Sequence, residues 1–345
     1  MGGAGLGRTF LLQARLGSRG FEVSRVGLGA WAMGGGGWYF SLGEQDDRDS
    51  EATIRQASEL GVNWIDTAAV YGCGHSEEVV GRALKRLPPA SRPLVFTKGG
   101  YRCDPKDPRK PPIHELSPQS IRRDLEGSLK RLQMEAIDLY QIHWPHPGGV
   151  PVEETWGEMA RLAEEGKIRY CGVSNFDVNL LSRIEPIRHV DSLQPPFSLI
   201  EREAAEGLLP WARAHGCGII VYSPLASGLL ASPPAESRRK AQDPRDWRSK
   251  AGNYAGGRLA RNFDLALRLR GLADAIGVSL PELAIAWTLA WPGVTGAIVG
   301  ARNPVQLEGW VKAPEVRLDG AVLDEIAAAI EASGAGTGPT RPPDP

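Results

Sequence analysis

Short apolar runs alternate along the chain with longer amphipathic stretches, the rhythm of strands and helices in a parallel α/β fold. The runs that read as strands are Ser24 to Trp31, Val62 to Ala68, Leu94 to Gly100, Ile137 to Trp144, Ile168 to Phe176, Val190 to Phe197, Gly218 to Leu225 and Gly296 to Arg302. Eight such strands predict a closed barrel. The stretches between them carry helix start signals. Ser117 followed by Pro118 fits an N-cap with proline at the first helical position, and Ile121, Leu125 and Leu129 then repeat at one-turn spacing. Ser279 with Glu282 makes a capping box, and Asp177 can cap the helix after the fifth strand. Three segments fall outside the rhythm: a leader over 1–19, a polar, lid-like insertion near 231–255, and a tail over 334–345. The leader and tail are expected to be loosely ordered, which leaves one domain over 20–333.

Polar residues recur at one place in these strands. Asp66, Lys98, His143, Ser174 with Asn175, Gln194, Tyr222 and Gly300 all stand where an apolar run ends. In a parallel barrel those ends share one face, the face that carries active sites. Taken alone, Asp66 reads as a turn former, Tyr71 as a rim tyrosine and His143 as a packed core histidine. Lys98, inside "VFTKGG", has no solvated face to occupy and calls for a carboxylate partner. Together the four form a proton-donor site. The Lys98 ammonium is expected to lower the pKa of the Tyr71 phenol, Asp66 to hold Lys98, and His143 to hydrogen-bond the substrate oxygen that Tyr71 protonates. This arrangement suits reduction of a carbonyl group.

Composition narrows the partners. Glycine (42) and proline (27) make up about a fifth of the 345 residues, a turn-rich chain short of low complexity. A net charge of −1 gives no long-range field for nucleic acid or an anionic membrane, so a small molecule met by local contacts is the expected partner. The four cysteines, Cys73, Cys103, Cys171 and Cys217, form no CxxC pair and read as free thiols, with neither a disulfide framework nor a metal site. No apolar stretch approaches the ~18 residues of a membrane helix, and "MGGAGLGRTF" lacks the apolar core of a signal peptide, so a cytoplasmic protein is expected.

The ordered set "WIDTAAVYG", "SEEVVGRAL", "VFTKGG", "YQIHWP", "GVSNF", "SLQPPFSLIER", "VYSPLASGLL" and "IVGARNPVQLE" resembles an aldo-keto reductase over about Phe21 to Ile330, closer to bacterial reductases and potassium channel beta subunits than to shorter members. The resemblance implies a single-domain (β/α)8 TIM barrel with Asp66, Tyr71, Lys98 and His143 as catalytic tetrad. It places Ser174, Asn175 and Gln194 around a nicotinamide amide and Tyr222 on the ring. Ser223, Pro224, Leu225 and Gly228 follow along the pyrophosphate. Gly300, Arg302 and Gln306 lie toward the adenine end, where Arg302 would meet a 2′-phosphate and favour NADPH over NADH. One departure lies there, because Gln306 is followed by Gly309 and Trp310 where the family commonly has glutamate and asparagine. The resemblance also admits a second role, a nucleotide-sensing module with slow turnover.

Gly27 to Ala32, "GLGAWA", matches the G-x-G-x-x-A of dinucleotide folds, but that fingerprint needs a helix next, and "MGGGGWYFSLG" cannot be one. Trp31, Trp38, Tyr39 and Trp144 cluster at the predicted mouth. The glycines from Gly34 to Gly37 give the loop freedom to swing Trp38 and Tyr39 onto a substrate, which favours aromatic or cyclic carbonyls over small charged aldoses.

Overall fold

The computed structural model of the protein describes residues 11–231 and 247–343. Eight parallel strands close into a barrel: β3 (Val26–Gly29), β4 (Trp64–Asp66), β5 (Leu94–Gly99), β8 (Ile137–Ile142), β9 (Ile168–Ser174), β10 (Ser192–Gln194), β11 (Gly218–Tyr222) and β12 (Val294–Gly300), with β12 returning to β3. Seven of the eight predicted runs contain a barrel strand, and the eighth, from Gly296, overlaps β12, which starts two residues earlier at Val294. Their near-continuous apolar character follows from burial on both faces, inside the barrel and under the helices. The ladder register sets Gly29 beside Asp66, Lys98 beside Gln141 and Gln194 beside Ser174, so the polar strand ends arrive at one level.

Helices α1 (Asp47–Glu59), α2 (His75–Arg86) and α3 (Pro118–Leu132) cover the first half of the barrel. The Ser117 hydroxyl accepts from Ser120 N–H (3.2 Å), Asp177 accepts from Leu180 N–H (2.8 Å), and the Ser279–Glu282 capping box is complete, as the sequence predicts. Ile121 and Leu125 turn inward from α3, each fully buried.

The leader differs from expectation. Residues 11–19 are folded: β1 (Gln13–Arg15) pairs antiparallel with β2 (Glu22–Ser24) across the N-terminal end of the barrel. That hairpin seats Leu16 and Val23 on Trp64, Phe96, Leu139, Ile220 and Ile298. The tail, too, is packed as far as it is described. Ala335 is buried, Glu201 bridges Thr337, and the buried Arg202 guanidinium donates to the carbonyls of Ala335 and Gly338 (3.2 Å each). Both segments are kept in place by apolar burial or by satisfying a buried charge. Most of the expected insertion lies outside the described residues. Of the rest, Trp247–Lys250 and Gly252–Tyr254 form 3-10 turns against the barrel mouth.

The barrel also explains the "GLGAWA" match. A Cβ on Gly27 would land within the Trp64 indole, and one on Gly29 would press on Ile298 at 2.9 Å. These glycines make room inside the barrel, and only a 3-10 turn, Ala32–Gly34, follows them.

Candidate active site

Asp66 ends β4 and Lys98 lies in β5, and both side chains are buried at the C-terminal mouth. Lys98 Nζ donates to Asp66 Oδ1 and to the Thr67 carbonyl (3.0 Å). The other carboxylate oxygen of Asp66 accepts from Gln194 Nε2 (2.9 Å) and Gln141 Nε2 (3.4 Å), so four strands converge on one carboxylate. Behind the lysine, Thr97 donates to Glu77 (2.6 Å), a fully buried carboxylate of α2 that Arg131 of α3 also holds (2.6 Å). Burial pulls the Lys98 ammonium below its ordinary pKa, against the opposing charges of Asp66 and Glu77.

Tyr71 opens the 3-10 turn Tyr71–Gly74 after β4. That turn approaches the loop after β3 so closely that a Cβ on Gly72 would land on the Gly34 carbonyl, and Gly72 itself is left-handed (φ 58°). The ring of Tyr71 lies with its centroid 5.3 Å from Lys98 Nζ and 5.7 Å from the His143 ring, edge to face. Burial, with Asp66 adding to it, pushes the phenol well above its ordinary pKa. This reverses the sequence-based expectation of a lowered value. The phenol loses water and feels the Asp66 carboxylate, and the lysine charge, already paired with Asp66, does not outweigh them. His143 follows β8, and burial, Lys98 and His114 hold it well below the ordinary histidine value, so its ring is neutral at pH 7. Its Nδ1 is buried without a hydrogen-bond partner. The mouth thus holds a protonated phenol, a neutral imidazole and a buried ion pair side by side.

The residues expected at the cofactor form a second connected layer. Asn175, left-handed at φ 63°, donates through Nδ2 to the His143 carbonyl (3.0 Å) and Ser174 Oγ (2.9 Å). Its Oδ1 accepts from the Tyr222 hydroxyl (2.8 Å), which fixes the Tyr222 ring at the end of β11, while Ser174 donates to the Gln194 carbonyl (2.9 Å). After Tyr222 the chain curls through Ser223, Pro224 and Leu225 to Gly228, with positive φ at Ser223, Ala226, Ser227 and Gly228. Such a turn presents backbone N–H groups as an anion-binding concavity. Gly300 is exposed, its nearest neighbour 3.9 Å from where a Cβ would stand. Arg302 is anchored by Gln45 Oε1 (2.9 Å) and the Glu44 carbonyl, and its own N–H donates to Gln306 Oε1 (3.0 Å). Trp310, in the departing segment, is buried in the core. These groups fit a dinucleotide: a ring platform, amide partners, an anion turn and a terminal guanidinium.

The aromatic set is divided. Trp31 lies near Tyr71 (6.3 Å between centroids) and under Trp247 (5.2 Å). Trp38 is buried, with its indole N–H donated to the Gly35 carbonyl (2.9 Å) and its ring 6.1 Å from Tyr71. It is a fixed wall of the site, not the swinging arm that the glycine-rich loop predicts. Tyr39 and Trp144 are exposed at 40% and 43%. Sequence reasoning missed Glu77, Tyr101 and Trp247. The quoted "SEEVVGRAL" holds the one usable signal, a glutamate on the inward face of α2.

The cysteines require a correction as well. Cys73, in the Tyr71 turn, is bonded to Cys103 after the short strand β6 (Tyr101–Arg102), with Cα atoms 5.5 Å apart. The pairing is absent from the sequence pattern because 30 residues separate the two; the folds of two mouth loops bring them together. Cys171 and Cys217 are free and buried, as expected. Among the described residues no cluster of three or more His, Cys, Asp or Glu is placed to hold a metal ion.

Comparison with known proteins agrees with this architecture. Residues 25–331 match the model of the Aldo/keto reductase family. The chain is 38% identical to aldo-keto reductase YhdN of Bacillus subtilis, covering 87% of this chain and 89% of that one. It is 33% identical to an NADH-specific methylglyoxal reductase of Escherichia coli, over 92% and 98%. The solved glycerol dehydrogenase of Gluconobacter oxydans superposes with a TM-score of 0.80 at 32% identity, over 96% and 98%. The barrel, the polar mouth and these matches together make the chain a member of the aldo-keto reductase family.

Proposed function

We propose that this oxidoreductase reduces an aldehyde or ketone to an alcohol, reversibly, with NADPH as cofactor and Tyr71 as proton donor. The observation that carries the reading is the Tyr71 phenol, held protonated within reach of the buried Lys98–Asp66 pair and the neutral His143 ring. NADPH, when bound, supplies a hydride to the carbonyl carbon. The chain's own residues manage the oxygen. The His143 imidazole, neutral and edge-on to Tyr71, orients the carbonyl oxygen, and the phenol gives it a proton as negative charge develops there. The nearby Lys98 ammonium stabilises the phenolate left behind, and Asp66 keeps that ammonium charged in a site where burial works against it.

Ser174, Asn175 and Gln194 would hold the nicotinamide amide, Tyr222 its ring, and the turn through Gly228 the pyrophosphate. Arg302, anchored on Glu44 and Gln45, supports NADPH, because a planar guanidinium suits a dianionic phosphate. The NADH-specific relative makes this choice a point to test. Trp31 and Trp38 beside Tyr71, with Tyr39 and Trp144 at the rim, support aromatic or cyclic carbonyls as substrates. The reading keeps the protein cytoplasmic and acting on small molecules.

A panel of aldehydes under saturating NADPH tests it, with wild type beside Tyr71→Phe. Wild type should turn over at least one member at ~1 s⁻¹ or faster. The variant should keep its NADPH binding, read by fluorescence quenching, while turnover falls by about 10² to 10⁴. Full activity in the variant would end the assignment of Tyr71, and slow wild-type turnover on every aldehyde would favour the nucleotide-sensing role.

A further inference from the structure

The Cys73–Cys103 bond joins two walls of the site. Cys73 is two residues past Tyr71, in the turn where it and Gly72 are both left-handed (φ 58° each). Cys103 follows Tyr101, whose ring lies edge-on to His143 (5.7 Å) and stacks on His114 (4.2 Å) of β7 (Ile113–His114). The bond therefore ties the loop carrying the phenol to the hairpin that backs the imidazole. It is also open to solvent, for Cys73 is exposed and Cys103 half-buried. By contrast, burial raises the thiol pKa of Cys171 to about 12 and raises that of Cys217 well above the ordinary thiol value, which leaves both inert.

Among the described residues, one unpaired cation stands beside the pair. Cys73 borders two surface cavities of about 530 and 560 Å³, and Cys103 borders the first. Arg102, Arg123 and Arg131 line the first with Asp104 and Asp124, and Arg82, Lys130 and Arg131 line the second with Glu78. The arginines are already paired, Arg82 with Asp47 and Glu51, Arg102 and Arg123 with Glu115, and Arg131 with Glu77, which leaves the exposed Lys130 as the cation of this set without an ion pair among the described residues. Exchange needs a thiolate at one sulfur and a second thiolate leaving from the other, and positive charge favours both.

We propose that Cys73–Cys103 is a thiol-exchange site for anionic thiols, and that opening it loosens the Tyr71 turn and slows turnover. An incoming thiolate bonds to the exposed Cys73 Sγ, the Cys73–Cys103 bond breaks, and its electron pair leaves on Cys103 as thiolate, which takes a proton from water. A second thiolate then attacks the sulfur of the bound thiol and releases Cys73. In sum two external thiols are oxidised to one disulfide while the protein disulfide becomes two thiols. Only the turnover clause rests on the carbonyl reductase reading.

Time-resolved mass spectrometry of the quenched full chain tests the exchange, with reduced glutathione, 2-mercaptoethanol and cysteamine at matched thiolate concentration. Glutathione should open the bond about threefold faster than cysteamine at low salt, with the advantage lost near 1 M salt and in Lys130→Gln. The first adduct should sit on Cys73. Equal rates for the three thiols, or an adduct on Cys103 alone, would overturn the site. Hydrogen exchange over 70–74 and 101–114 should quicken on reduction, and wild-type turnover should fall about threefold or more. Cys73→Ser with Cys103→Ser should match the reduced protein and ignore added thiol. Unchanged hydrogen exchange in those segments would overturn the coupling to Tyr71. If no carbonyl is turned over, the carbonyl reductase reading fails, while the adduct and hydrogen-exchange results still decide this one.

Discussion

The two ends of the barrel are built from the same strands and treat polar groups in opposite ways. At the N-terminal end the β1–β2 hairpin closes the barrel with Leu16 and Val23 on Trp64, Phe96, Leu139, Ile220 and Ile298, and the Trp64 indole N–H is satisfied by the Ser24 carbonyl (2.8 Å). At the C-terminal end a lysine and an aspartate are buried together and a histidine nitrogen lacks a partner. Strand β4 spans the contrast in three residues, from Trp64 in the plug to Asp66 in the ion pair. A buried ion pair is weak evidence for stability, since apolar residues of similar volume often serve as well. One end therefore holds the fold and the other bears a cost for chemistry.

Substitutions can break that separation. Lys98→Met leaves the Asp66 carboxylate buried without its counter-charge, which should cost about 3 to 5 kcal/mol in a denaturant titration and at least ~10² in turnover. A variant that stays stable and active would show the pair to be idle. Leu16→Ala, in the opposite plug, should cost about 2 to 5 kcal/mol with kcat and cofactor affinity unchanged. If its kcat fell as well, the ends would be coupled.

Two smaller effects sharpen the picture within the mouth. Arg302→Ala should weaken NADPH by about 1.5 to 3 kcal/mol, roughly tenfold to over a hundredfold, and leave NADH nearly as before in paired binding titrations. Equal weakening of both cofactors would make Arg302 structural. Gly72→Ala forces a Cβ onto the Gly34 carbonyl at a left-handed position, so the Tyr71 turn must shift. Loss of about tenfold in kcat with unchanged cofactor affinity is expected, because small misplacement of a reacting group is costly. An unchanged kcat would mean that the phenol tolerates movement.

What could be read from the sequence follows from how local each signal is. The barrel strands were legible because strands buried on both faces appear as apolar runs, and Asp66, Lys98 and His143 because each interrupts or ends one. The β1–β2 hairpin was not, since three-residue strands carry too short a period to detect. Glu77 was hidden because its partners, Thr97 and Arg131, come from other elements, and a glutamate in a helix ordinarily reads as solvated. The sign of the Tyr71 shift depended on distances: proximity to Lys98 was foreseeable, whereas the balance between burial and a lysine committed to Asp66 was not. Cys73 and Cys103 pair across loops whose shape no spacing rule encodes.

Arg202 sets a schedule for synthesis. Its guanidinium is buried, and carbonyls that it needs, at Ala335 and Gly338, lie 133 and 136 residues further along the chain. While those residues are still inside the ribosome, the loop after β10 holds a positive charge with part of its hydrogen-bonding shell unmade. That loop can settle only once Ala335 and Gly338 have been made, and a chain cut short before Ala335 would carry a buried guanidinium with those acceptors missing.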